Sequence, residues 1–81
     1  MGGSVLPLGF LQVGRDAVVR ELGSGRNLAQ RLSEMGIVRG TRLSIIKNDM
    51  GGPLIISVGD GRLAIGRGMA LKILVEEASK A

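Results

Sequence analysis

The sequence predicts a mainly β fold, a small SH3-like barrel of about five short antiparallel strands with one short α-helix. Three observations predict it. Short apolar stretches with a period of two recur at close spacing along most of the chain. Glycine-rich turns separate them, and fourteen glycines in 81 residues suit the corners of a small barrel. One segment, Arg26–Gly40, departs from that rhythm and carries helical spacing instead.

The chain opens with an apolar patch, Val5–Leu11, read as a packed lead-in behind a mobile start. Arg15–Leu22 is the first expected strand, with Ala17 and Val19 on one face and Val18 and Leu22 on the other; Gly23-Ser24-Gly25 ends it. In the helical segment Asn27 is placed as N-cap, with Gln30 three residues on where a capping box wants Glu or Gln. Leu28, Leu32 and Met35 fall at i, i+4 and i+7 as a narrow apolar stripe bordered by Ala29, while Gln30, Arg31, Ser33 and Glu34 face away. Gly36 stands where a left-handed C′ residue is needed, and Ile37 follows at C″, able to close on Leu32 as in a Schellman ending. That apolar face is too small to fold alone, so the helix must lie on the strands.

Thr41–Asn48 is the next strand, with Leu43 and Ile45 pointing one way and Arg42 and Ser44 the other. After the turn residues 49–53, Leu54–Val58 places Leu54, Ile56 and Val58 on one face. Gly59-Asp60-Gly61 returns the chain into Arg62–Ile65 as a hairpin. Residues 66–70 read as a single helical turn, and Leu71–Glu76 closes the sheet with Ile73 and Val75 inward. The expectation is therefore one domain over residues 1–81, with residues 1–4 and 77–81 as flexible ends.

Composition excludes several classes of function. A chain this short buries about 60–65% of its unfolded surface, enough for a core but not for a large enzyme cleft. Cysteine and histidine are both absent, so there is no disulfide framework, no thiolate or imidazole metal site and no histidine base for any of the serines. Neither a cofactor nor a resident metal is expected, and no enzyme activity. Every apolar run stops short of about 18 residues, which predicts no membrane insertion. A net charge of +4 raises nucleic acid or an acidic protein as partner. The lone aromatic, Phe10, leaves no stacking platform for bases.

Two glycine motifs resolve into turns. Gly59-Asp60-Gly61-Arg62-Leu63-Ala64 matches G-x-G-x-x-A but lies between two hairpin strands, whereas a dinucleotide fingerprint opens a helix between parallel strands. Gly23-Ser24-Gly25 precedes a helix, where backbone N–H groups can hold an anion, but no G-K-[ST] follows it. Four side chains are the candidates for recognising a partner protein. Met50 is a flexible apolar side chain in a loop, suited to an adaptable interface. Arg67, set between two glycines, has room to project its guanidinium toward a partner carboxylate. Arg31 and Glu34 stand on the outer helix face, where an i, i+3 ion pair is the ordinary alternative.

The run L-x-x-R-L-x-E-M-G-I-x-x-G (Leu28–Gly40), then G-G-P-L (Gly51–Leu54), V-x-x-G-R-L-A-I-G-R-x-x-A (Val58–Ala70) and I-x-V (Ile73–Val75) resembles the ferrous iron transport A (FeoA) family, over about residues 8–76. The resemblance implies an SH3-like barrel in the bacterial cytoplasm. It also implies an accessory role toward FeoB, a membrane permease with a cytosolic GTP-binding domain. The same module is similar to the C-terminal domain of repressors of the diphtheria toxin repressor type, but no DNA-binding helix-turn-helix half accompanies it here. Docking on the cytosolic region of a FeoB-type transporter is thus the expected function. The alternative is a small basic barrel that binds nucleic acid, disfavoured because Arg and Lys are spread over many elements. Self-association through an edge strand stays open.

Overall fold

In the computed structural model, which describes residues 4–23, 25–49 and 51–78, six strands form one antiparallel sheet. They are β1 (Val5–Pro7), β2 (Asp16–Leu22), β3 (Arg42–Asn48), β4 (Leu54–Val58), β5 (Gly61–Ile65) and β6 (Ile73–Ala78). Their order in space is β1-β6-β2-β3-β4-β5. Two helices accompany them, α1 (Arg26–Glu34) and the single turn α2 (Arg67–Ala70), with a 3-10 turn at Leu8–Phe10. Alternation does what it predicts: Ala17 and Val19, Leu43 and Ile45, Leu54 and Ile56, and Ile73 and Val75 are all buried. Strands from opposite ends of the sheet feed one core cluster, so the sheet is curled around it, as in the expected SH3-like barrel.

Two bulges help it curl. The β2–β6 register shifts between Val19 and Glu21, and the β3–β4 register between Ile45 and Lys47. An extra residue on one strand bends it and increases its twist.

The sixth strand is a correction to the expected five. Residues 5–7 do more than pack as a lead-in: Val5, Leu6 and Pro7 pair with Glu76, Val75 and Leu74. Proline is tolerated there because β1 is an edge strand, where a missing N–H costs no ladder bond. The C-terminal end is corrected too. β6 runs on through Glu77 and Ala78, which pair with Ala17 and Asp16, and Arg15 Nη1 meets Glu77 Oε2 at 2.9 Å. Only residues 79–81 of the expected tail, and 1–3 of the expected start, lie outside the described residues.

The helix ends as expected and starts differently. Gly36 N donates to Ser33 O at 3.0 Å and Ile37 N to Leu32 O at 2.8 Å, with Gly36 at φ 89°, the two bonds of a Schellman motif. Leu32 and Ile37 are both fully buried. At the other end the N-cap is Gly25, and no side-chain cap is formed. Gly25 O accepts from Ala29 N, which makes Asn27 the second residue of the helix, two past the cap, and removes its expected capping role.

Candidate functional site

Arg31 and Glu34 are exposed on the outer face of α1, as the apolar stripe on its other side requires. The ion pair expected between them does not form: the three described salt bridges are Arg15–Glu77, Arg20–Glu76 and Lys47–Asp49. Both charged ends are left to solvent. In that state they are available to a partner, and the helix loses only the few tenths of a kcal/mol such a pair supplies.

Met50 lies outside the described residues. The loop around it is held at both ends, with Gly52 N donating to Asp49 O at 3.2 Å. Lys47 Nζ lies 3.4 Å from Asp49 Oδ2, an exposed pair of small energetic weight.

Arg67 does not project from α2. Its side chain is half-buried and turns back over that same loop. Nε and Nη2 both donate to Gly52 O, at 3.2 and 3.0 Å, and Nη2 also reaches Asp49 O at 2.6 Å and Asn48 Oδ1 at 2.9 Å. Asn48 Nδ2 in turn donates to Leu11 O at 2.8 Å and Gly9 O at 3.2 Å. A guanidinium fork aimed at carbonyl oxygens makes charge-assisted bonds, stronger than neutral ones. Arg67 thus joins α2, the end of β3, Asp49 and Gly52 and, through Asn48, the 3-10 turn.

Residues 5–11 are expected as a packed apolar lead-in, yet Phe10 is 67% exposed. Leu8 and Leu11, three apart, are buried at 0% and 1%. In a 3-10 turn, residues three apart share a face, so Leu8 and Leu11 take the core side and Phe10 does not. The Leu8–Leu11 spacing is the signal that separates them. Leu71, just after α2, is also exposed, at 47%. Its Cδ2 lies 3.5 Å from where a side chain on Gly9 would begin, so an apolar residue crowns the 3-10 turn.

The glycine motifs keep their bland readings. Val58 pairs with Gly61 across the two-residue loop Gly59-Asp60, with Gly59 at φ 58° and no non-glycine among the described residues, Asp60 included, at positive φ. That is the II′ hairpin pattern, and it leaves no helix N-terminus for a dinucleotide. Ser24 lies outside the described residues; Gly23 N donates to Lys72 O at 2.6 Å. The outer face of β2–β3–β4 carries an open depression of about 360 Å³ lined by Asp16, Arg42, Leu43, Ser44, Ser57 and Gly59. It is shallow and shows no catalytic pairing of those side chains.

Carboxylates are dispersed. Among the described residues no three of His, Cys, Asp and Glu come together. Glu76 Oε1 accepts from Arg20 Nε at 2.7 Å and Glu77 pairs with Arg15, on alternate faces of β6. No described helix is long and apolar enough to cross a membrane.

Comparison with known proteins agrees with this architecture. The FeoA domain model matches residues 6–77. A curated protein of Methanocaldococcus jannaschii, "Putative Fe(2+) transport protein A", is 44% identical over 72 residues, 89% of this chain and 87% of that one. The crystal structure of an iron uptake regulatory protein, FeoA, superposes with a TM-score of 0.88 at 35% identity, covering 93% of this chain and all of the other. A manganese-dependent transcriptional repressor matches at TM-score 0.85 and 15% identity, over 96% of this chain and 44% of its own, a likeness of fold alone. With its motifs in order, its barrel matched and its family model covering nearly every described residue, the chain belongs to the FeoA family.

Proposed function

We propose that this protein is a small accessory of ferrous iron uptake that docks on the cytosolic region of a FeoB-type transporter and modulates it. The observation that carries the reading is the family match over residues 6–77, joined to 44% identity with a named Fe(2+) transport relative. The surface supports an interaction role over a chemical one. Arg31 and Glu34 offer two uncommitted charges on one rigid helix face, and rigid elements hold recognition groups better than loops do. Arg67 contributes indirectly, by holding Asp49 and Gly52 on the two sides of Met50 in the chain.

Titration calorimetry of the full chain against the transporter's purified cytosolic region tests it. Saturable binding that weakens several-fold in Arg31→Glu or Glu34→Arg supports both the docking and the helix face. Absence of heat with a folded transporter domain, backed by no co-purification, overturns the docking.

A further inference from the structure

The two edges of the sheet differ. β1 is three residues long, ends in Pro7 and runs straight into the 3-10 turn. That edge is blunt. β5 is five residues long, pairs in unbroken register with all of β4, and carries neither bulge nor proline. Because the hairpin loop has two residues, the flanking pair Val58 and Gly61 exchanges both backbone bonds, and the pattern alternates from there. Gly61, Leu63 and Ile65 therefore turn their N–H and C=O groups toward β4. Arg62 and Ala64 turn theirs outward, and both residues are exposed. Among the described residues, no backbone bond from outside the sheet reaches either.

Side chains give the edge a chemistry. Arg62 and Ala64 share the outer face, while Leu63 stands on the inner face, partly buried against the core. Arg62 is the only charge on β5, its partner across the ladder is Ser57, and it joins none of the described salt bridges.

We infer that β5 is an acceptor edge for strand addition, and that its occupant is an extended segment of a partner protein with a carboxylate opposite Arg62 and an apolar side chain opposite Leu63. Main-chain bonds to Arg62 and Ala64 supply the attachment, and the alternating side chains supply the selection. Charge decides against a second copy of this chain. A two-fold β5 pair centred on Leu63 sets the two Arg62 side chains on one face at a diagonal of roughly 7–8 Å, with no acid on either strand and a net charge of +4 on each molecule. An acidic segment removes that repulsion. The inference goes beyond the transporter reading and does not depend on which protein supplies the segment.

The test is an NMR titration of the full, isotope-labelled chain with two end-capped peptides, one of alternating Glu and Val and one of alternating Lys and Val. The acidic peptide should shift the Arg62 and Ala64 amides, slow their exchange with solvent and give interstrand contacts to them; the basic peptide should bind more weakly. Arg62→Glu should reverse that order. Ala64→Pro removes one outward N–H without taking a bond from β4, and should abolish binding with the rest of the spectrum intact. Should that variant unfold, Arg62→Glu alone decides. Equal response to both peptides, perturbations mapping away from β5, or concentration-dependent self-association that protects the same amides would overturn the inference. Peptide silence beside intact binding to the transporter's cytosolic region would overturn it too, and would leave the family role standing.

Discussion

Arg67 Nη2 donates to Asn48 Oδ1 at 2.9 Å, and the Asn48 amide passes the connection on to the carbonyls of Leu11 and Gly9. An amide is the one small side chain able to accept from the guanidinium and donate to two carbonyls at once. Asn48→Ala should therefore cost about 1–3 kcal/mol, because it unpairs partly buried groups on both sides. Urea melts of the two proteins check this. Asn48→Asp should not restore the loss, since a carboxylate cannot donate to Leu11 and Gly9.

Replacing Arg67 by Lys keeps the charge but gives up the fork, which meets three different acceptors through two nitrogens. The expected result is a modest loss of stability, about 1–2 kcal/mol, and a larger local effect. Amide exchange at Gly52 should accelerate well beyond that of the β3–β4 ladder, because the loop opens without the sheet opening.

Leu32→Ala should cost about 2–5 kcal/mol. Leu32 is fully buried and belongs to the cluster that joins α1 to the sheet. In so small a domain the loss approaches the whole of its stability. Denaturant melts decide it, and a change under about 0.5 kcal/mol would mean that the helix does not rest on the core through this residue.

Gly23→Ala should destabilise the barrel although Gly23 is not a core residue. A Cβ there would begin 2.9 Å from Lys72 O and 3.4 Å from Lys72 Cα, against backbone that has no rotamer to change. Gly23 and Lys72 would have to separate, stretching their 2.6 Å bond, at about 1–3 kcal/mol. The melting temperature reports it.

Anaerobic calorimetry with ferrous ion should show no stoichiometric site of low-micromolar affinity or tighter. Ferrous ion is held well by imidazole, thiolate or several converging carboxylates. The chain has no His or Cys, and Glu76 and Glu77 already face arginines on opposite sides of β6.

Much of this arrangement was legible because it is local. Leu43 and Ile45 alternate with Arg42 and Ser44 over a few residues, and the Leu32, Gly36 and Ile37 ending is closed within six, so sequence spacing alone specifies both. Where partners are distant, spacing says nothing. Asn27 carries the right chemistry for a cap, but Gly25, at φ 115°, lets the chain enter the helix earlier. β1 and the end of β6 are strands only because each has a neighbour more than fifty residues away to pair with. Arg67 looks free between two glycines until the 49–52 loop folds beneath it. Of the candidate site, the outer helix face was readable from periodicity, while the open edge of β5 depends on which strand ends the sheet, a fact no local pattern contains.

The position of β6 between β1 and β2 also governs when the molecule can exist at all. Among the described strands, the last in sequence is the one that joins the first two. During synthesis β1 has no strand to pair with, and β2 has only one of its two neighbours, until residues 73–78 leave the ribosome. The β3–β4–β5 meander, whose pairings are between sequence neighbours, can form while the chain is still growing. Closure must then wait for β6, and a chain cut short before Ile73 would expose both faces of that gap to the proteases and chaperones that patrol unfinished proteins.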